Sequence, residues 1–429
     1  MPMNIIERGK VFLQQLQELA NRTVWDWKRC PHCGSQLTIK NGSYARHPWG
    51  FGGRDCVRVQ RHLCHVCHRT YAETSPWLAR GSWYYREVHR AAVDHWLHLG
   101  TSLRRTAEVL RSWMGHQERW QLWRPLDSTP REPCHLGAST VHRWLDGAGR
   151  QAVASIPGQL EGIADTQVVA ADGLWAKLKG RVLRVVLLLS DSVSGLLYPP
   201  VVVHDEEQAS SWEQLFKRAH SAGLDLEHLR GLCSDGASGL LAYLSLVLYW
   251  VLPQRCVWHI WRLLRGGLLR AASGAVQGLT AAAAATLRSS VRGELLRLLH
   301  GVLDAATEDA AEAALVTLRA HAYGQELGQQ LTQWMDRLFV YQQAYCQGLP
   351  RVGPEWYWRD FRLRLSRGRN HRSEPRLERA AVLWACYHNF EPAQWRSERK
   401  RHYRHPGQSA LQVAGVPPGA VSYLDALGV

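Results

Sequence analysis

The stretch that decides the fold is Leu229–Ile260, LRGLCSDGASGLLAYLSLVLYWVLPQRCVWHI. Leu229 to Ser234 is a short apolar run of the length expected for a buried strand, and Asp235-Gly236 ends it. Ser238 to Val251 reads as a helix, and Gln254 to Ile260 as the next strand. Working upstream, Ser210 to Ala222 reads as a helix, preceded by strand-like runs at Gln167–Ala171, Val182–Ser190 and Leu196–Val203. Three strands in antiparallel succession followed by helix, strand, helix and strand predict a mixed sheet with helices on its faces, an α/β core.

Two aspartates stand out on that frame. Asp172 in VVAADGLW and Asp235 in RGLCSDGASG each precede glycine where a strand-like run is expected to end. Carboxylates at neighbouring strand ends can share divalent metal ions, the arrangement that activates water against a phosphodiester. Asp191 reads as a hairpin residue, and Asp205-Glu206-Glu207 as charge complementing the start of the next helix.

Upstream, Cys30-Pro-His-Cys33 and Cys64-His-Val-Cys67 are paired C-x-x-C knuckles separated by Gly-rich, strand-like sequence. Thiolates in that pattern close a tetrahedral structural zinc site, a zinc ribbon with Cys30, Cys33, Cys64 and Cys67 as ligands. REVHRAAVDHWLHLG and TSLRRTAEVLRSWMG then predict two helices with glycine stops, with Thr101-Ser102 capping the second. After the loop Gln117–Cys134, Ser139 is expected to cap a further helix. It resembles the recognition helix of a helix-turn-helix module, with Thr140, His142 and Arg143 as base readers; an ordinary helical bundle is the plainer alternative.

The chain has 429 residues, with 52 Lys+Arg against 37 Asp+Glu, a formal charge of +15. That excess favours a polyanionic partner. The longest apolar candidate, Leu240–Leu252, is 13 residues, too short to span a bilayer. No signal-peptide pattern opens the chain, so a cytoplasmic location is expected and the ten cysteines are not read as a disulfide framework. An Ala- and Leu-rich block over 262–348 predicts an all-α insertion. Beyond it, residues 349–405 interleave arginine with aromatics. Arg364, Arg367 and Arg369 are expected to neutralise a nucleic-acid backbone while the rings stack on bases.

Asp172-Gly, Asp235-Gly and Gln254-Arg-Cys-x-x-His259, with His371-Arg372 and Trp384-Ala-Cys-Tyr387 downstream, closely resemble the bacterial insertion-sequence and Mutator-like DDE transposases. The resemblance covers roughly residues 165 to 390. It implies an RNase H-like mixed-sheet core with an all-α insertion, preceded by zinc ribbon and helix-turn-helix. The implied layout is an N-terminal helix at 1–24, zinc ribbon at 25–80 and helix-turn-helix at 81–150. The first part of the core follows at 160–261, the insertion at 262–348, the remainder of the core at 349–392, and a basic tail at 393–429.

The resemblance further implies metal-dependent cleavage at transposon ends and strand transfer into target DNA. The catalytic acids would be Asp172, Asp235 and a glutamate beyond the insertion, holding two Mg²⁺ (or Mn²⁺) ions about 3.5–4 Å apart. The family's Thr-Asn before that glutamate is missing; counting back from His371 leads to Glu355, with Glu374 and Asp360 as the alternatives. Cys256 and His259 are read as a structural motif, because thiolate and imidazole suit softer metals than magnesium. The partners implied are double-stranded DNA, as terminal repeats and target, and a second copy of the chain, in a nucleoid-associated setting. A decayed DNA-binding regulator and a structure-selective RNase H-like nuclease are the alternatives.

Overall fold

The computed structural model describes residues 29–428 apart from 52, 74–76, 80, 121–134, 161–162, 164–165, 181, 279, 354, 369–370, 372, 392–406 and 417–421; the side chains of 115–120, 355–356 and 366–368 are also left out. The helix expected at 1–24, most of the loop before α3, and most of the basic tail therefore lie outside the described residues. The chain divides into two compact units at Leu145/Asp146. No helix among the described residues is long and apolar enough to cross a membrane.

In the first unit, β1 (Thr38–Arg46), β4 (Val57–Cys64) and β5 (Thr70–Ala72) form an antiparallel sheet in the order β1-β4-β5. The two-residue strands β2 (Trp49–Gly50) and β3 (Gly53–Arg54) pair beside it in sequence. The β1–β4 register slips between Lys40 and Ser43, where Gly42 takes φ 73°, a conformation that costs glycine little. Helix α1 (Arg86–Leu99) stops at Gly100 with φ 56°, and its buried Val88, Ala92, Val93, Trp96 and Leu97 recur at helical spacing. Helix α2 (Leu103–Trp120) is capped by Ser102, whose hydroxyl accepts the Arg105 N–H at 3.2 Å, and it runs on through Gly115 rather than stopping there. Helix α3 (Ala138–Gln159), of which residues up to Leu145 belong to this unit, begins one residue before Ser139, so Ser139 lies inside the first turn rather than capping it.

The second unit carries a five-stranded mixed sheet, β6 (Val168–Lys177), β7 (Leu183–Asp191), β8 (Val201–Val203), β9 (Gly231–Ser234) and β10 (Leu252–Arg255), in the order β10-β9-β6-β7-β8. β6, β7 and β8 are antiparallel neighbours, while β9 and β10 join β6 in parallel. Parallel pairing needs crossovers, supplied by α4 (Ala209–Ser221) and α5 (Ser238–Val247). Strand β8 is shorter than its apolar run because Pro199 and Pro200 lack ladder donors; only a single bridge, Ser190 to Leu197, precedes it.

Helices α6 (Val257–Gly274), α7 (Ala281–Leu303), α8 (Glu308–Ala320) and α9 (Gln325–Thr332) make a separate apolar core. Ile260, Leu264, Leu295, Leu299, Val302, Leu318 and Leu331 are fully covered there, each side chain contributing about 1.5–3 kcal/mol by leaving water. Three 3-10 turns between Met335 and Cys346 bring the chain back, and Val340, Cys346 and Leu349 close over Val168, Ala170 and Cys233 of the sheet and over Cys256 at the start of α6. Helix α10 (Glu355–Gly368) then packs against β6, and α11 (Glu374–Phe390) against β7 and β8. Short helices α12 (Ala410–Val413) and α13 (Tyr423–Ala426) follow, each opened by a capping box.

Candidate metal centres

The N-terminal cluster is built by two tight turns. Cys30 and Cys33 precede β1, Cys64 ends β4, and Cys67 follows in the turn before β5. The thiols of Cys30 and Cys67, and of Cys33 and Cys64, stand 3.6 Å apart, and all four sulfurs lie within 4.8 Å of one another. A tetrahedron with about 2.3 Å zinc–sulfur bonds has edges of about 3.8 Å, so the residues fit a zinc ion. Backbone N–H groups of Cys67 and Val66 help pull the Cys64 thiol down to about 6, while, against the Ser35 N–H, burial and the neighbouring thiols push Cys33 up to about 12. Cys56 lies exposed before β4, apart from the cluster.

The second cluster sits where the parallel ladder ends. Pairing of β6 with β9 stops at Ala170–Cys233, although β6 itself runs on to Lys177. Asp172 is therefore mid-strand rather than at a strand end, and it is buried at 3% exposure. Its Oδ1 accepts the Gly173 N–H at 2.9 Å. Asp235 follows β9, its Oδ1 accepting the Ala237 N–H at 3.0 Å. Ligand atoms of Asp172, Asp235 and His259 all lie within 4.8 Å of one another. A cation with bonds of about 2.1 Å spans about 4.2 Å between opposite ligands, so the three residues could close on one with a small adjustment.

Cys256 and His259 do not lie on a strand. β10 ends at Arg255, Cys256 is the N-cap of α6, and His259 falls in its first turn. The C-x-x-H spacing is thus a helical i, i+3 pair that presents both side chains on one face. Each residue of the motif has a distinct task. Gln254, buried, donates from Nε2 to the Leu338 carbonyl at 2.9 Å and accepts the Tyr341 N–H at 3.1 Å, clamping the returning chain. Cys256 accepts the Gly353 N–H at 3.1 Å, and the Val257 N–H reaches the Arg351 carbonyl at 2.9 Å. Hydrogen bonding with Cys233, His259 and Gly353 pulls the Cys256 thiol down against burial, while Cys233 is pushed up. Burial alone would lower His259; Cys256 and the Asp172 and Asp235 charges outweigh it and raise its pKa.

The glycines after the two aspartates also acquire reasons. A Cβ on Gly173 would stand 2.0 Å from Oε2 of Glu206 and 3.0 Å from Val185 Cγ1. On Gly236, at φ +78°, it would stand 1.3 Å from the Arg255 guanidinium. Each glycine is a cradle for a charged side chain from elsewhere in the chain.

Glu206 is the residue that the acidic triplet hid. Its Oε1 accepts the Trp175 indole N–H at 2.9 Å, its carbonyl accepts that of Trp212 at 2.8 Å, and Gly239 packs against the backbone of 206–208. Its Oε2 is buried and accepts no hydrogen bond among the described residues. Burial raises its pKa, the Trp175 bond opposes, and the charges of Asp235 and Glu207 add to the rise.

Two of the three candidates for the last acid are engaged elsewhere. Glu374 pairs with Arg184 at 2.5 Å in the first turn of α11. Asp360 binds Arg364 at 2.6 Å and accepts the Trp384 indole N–H at 3.0 Å; burial would raise its pKa, but Arg364 and Trp384 hold it below the usual range. Glu355 is the first residue of α10, two positions beyond the Gly353 that Cys256 holds; its side chain lies outside the described residues.

Arg364, read from the sequence as a DNA contact, is instead 3% exposed, paired with Asp360 and set over the Tyr387 ring. Nearby aromatics behave likewise: Trp358, Phe361 and Trp384 are buried against one another, not presented to bases. Side chains of Arg367 and Arg369 are outside the described residues. Thr140, His142 and Arg143 occupy the first two turns of α3; Arg143 is exposed and donates to the Thr140 hydroxyl at 3.2 Å.

No protein-family model matches the chain, and no curated protein matches it.

Proposed function

We propose that this protein is a metal-dependent phosphoryl-transfer enzyme acting on DNA, a DDE-type transposase with an RNase H-like core. The observation that carries the proposal is the convergence of Asp172, Asp235 and His259 within 4.8 Å at the end of a parallel ladder. Three antiparallel strands followed by two parallel ones, in the order β10-β9-β6-β7-β8, support the RNase H-like reading. So does the packing of α10, which begins at Glu355, against the strand that carries Asp172.

In this reading Asp172 and Asp235 hold Mg²⁺ or Mn²⁺, and Glu355 is the third acid. A bound divalent cation would supply the Lewis acidity that activates the attacking hydroxyl and steadies the leaving 3′-oxygen. The chain's own residues do the positioning. Main-chain N–H groups of Gly173 and Ala237 orient the two carboxylates. Gln254 and Cys256 tie the returning segment to β10 and α6 just ahead of α10. The Cys30/Cys33/Cys64/Cys67 site would hold structural zinc, and Thr140, His142 and Arg143 would contact DNA.

Nicking of supercoiled plasmid by the full chain in Mn²⁺ tests the proposal. Asp172→Asn and Asp235→Asn should each abolish nicking while leaving salt-sensitive DNA binding in place. Wild-type nicking that persists in either variant would remove the assignment. Binding without nicking by the wild type would favour a DNA-binding regulator.

A further inference from the structure

We propose that Arg255 is the residue that grips the substrate phosphodiester beside the Asp172–Asp235 pair; the inference rests on the phosphoryl-transfer reading above. Arg255 ends β10, and its guanidinium lies on the bare Cα of Gly236, one residue past Asp235. The Trp334 ring centroid stands 5.6 Å from its central carbon. Arg255 is half-buried, and none of its five N–H donors makes a hydrogen bond or an ion pair within 4 Å among the described residues; Nε is enclosed and unsatisfied.

An enclosed guanidinium N–H without an acceptor is costly. The same unit shows the ordinary solution: Arg364, more deeply buried, is neutralised by Asp360 and accepted onto the Tyr387 ring. Arg255 has no such carboxylate. Asp235 acts on it only at a distance, and Oδ1 of Asp235 is already bonded to Ala237. A second guanidinium, Arg337, is near enough to repel it. Arg337 has its own carboxylate in Asp336 at 3.4 Å, whereas Arg255 has only the acid that a metal would claim, which leaves an anion hole next to the metal site. A phosphodiester has two non-bridging oxygens with the spacing that a guanidinium fork accepts, and charge on them grows as the phosphoryl group is transferred. Gly236 is what allows the fork to lie against the backbone at that place.

The test uses the full chain with Arg255→Met and Arg255→Lys. The first readout is binding of inorganic phosphate in Mg²⁺, by titration calorimetry. It should weaken at least about tenfold in R255M and partly recover in R255K. The second is plasmid nicking in Mn²⁺, expected to fall by about 10²–10³ in R255M. Mn²⁺ affinity should stay within about threefold of wild type, since both aspartates remain. Wild-type phosphate affinity in R255M, no phosphate binding by the wild type, or full nicking in R255M would each overturn the inference. Loss of Mn²⁺ binding and of the thermal transition in both variants would also overturn it, making Arg255 a packing residue. Arg255-dependent phosphate binding by a wild type that nicks nothing would keep the anion hole and sink the nuclease reading instead.

Discussion

Gly173→Ala offers a test in which the magnitude can be worked from named atoms. Gly173 has no positive φ, so alanine brings no backbone penalty and the cost is steric. The new Cβ would meet Glu206 Oε2 at 2.0 Å, and ordinary contact begins at 3.4 Å, so the carboxylate must withdraw by about 1.4 Å. That movement stretches the 2.9 Å bond from the Trp175 indole beyond hydrogen-bonding range. Losing it costs about 1 kcal/mol, and the 3.0 Å approach to Val185 Cγ1 adds a fraction of overpacking strain. A destabilisation of about 1–2 kcal/mol follows, which lowers the melting temperature by a few degrees in a unit of this size. Glu206→Ala removes the obstructing carboxylate, so Gly173→Ala placed on that background should cost about 0.5 kcal/mol or less. Calorimetric melting of wild type, both single variants and the double variant measures the coupling directly. Equal costs for Gly173→Ala in the two backgrounds would show that Glu206 does not occupy the cradle, and the account of the Asp-Gly pair would be wrong.

Three other outcomes are expected. Chelation should release about one zinc per chain and make residues 29–72 sensitive to protease, because the small sheet has few buried apolar side chains to stand on; protease resistance after metal removal would refute a structural zinc. His89 stacks on Trp144 with its pKa lowered to about 4 by burial and by Arg86. A base depressed in the folded state stabilises above its unfolded pKa, so roughly 2–3 kcal/mol should be lost as pH falls from 6.5 toward 4; His89→Gln should flatten that slope in acid-titrated denaturation curves. The oxygen–oxygen–imidazole set favours Mn²⁺ over Mg²⁺, and His259→Ala should erase most of that preference; unchanged relative affinities in calorimetry would show that His259 is not a ligand.

Local chemistry made parts of this protein legible before any coordinates. Paired knuckles announce thiolate ligands because two-residue spacing already brings two sulfurs together within one turn. Gly100 ends α1 because only glycine takes its left-handed conformation cheaply. The α/β alternation, too, was visible in runs of apolar residues separated by Asp-Gly. Reading failed where the deciding partner lay far away. Cys256 and His259 were placed on a strand because Gln254 to Ile260 is apolar enough for one, yet β10 stops after four residues, where the chain turns into α6. Glu206 looked like a helix-start acid until the fold laid it over Gly173. Arg364 and the aromatics around it looked like a nucleic-acid surface; amphipathic side chains of that kind serve a core equally well, and burial against Asp360, Tyr387 and Trp384 decided the matter.

By itself, then, the order of residues determined which side chains could bind metal and which segments could be strands or helices, since spacing and side-chain type act within a few residues. Tertiary structure alone decided that Asp172, Asp235 and His259 meet, that Glu206 and Arg255 settle on the two glycines, and that Asp360 and Glu374 are occupied elsewhere. Those groups are tens of residues apart, and their approach is set by how the ladder ends and how the helices pack.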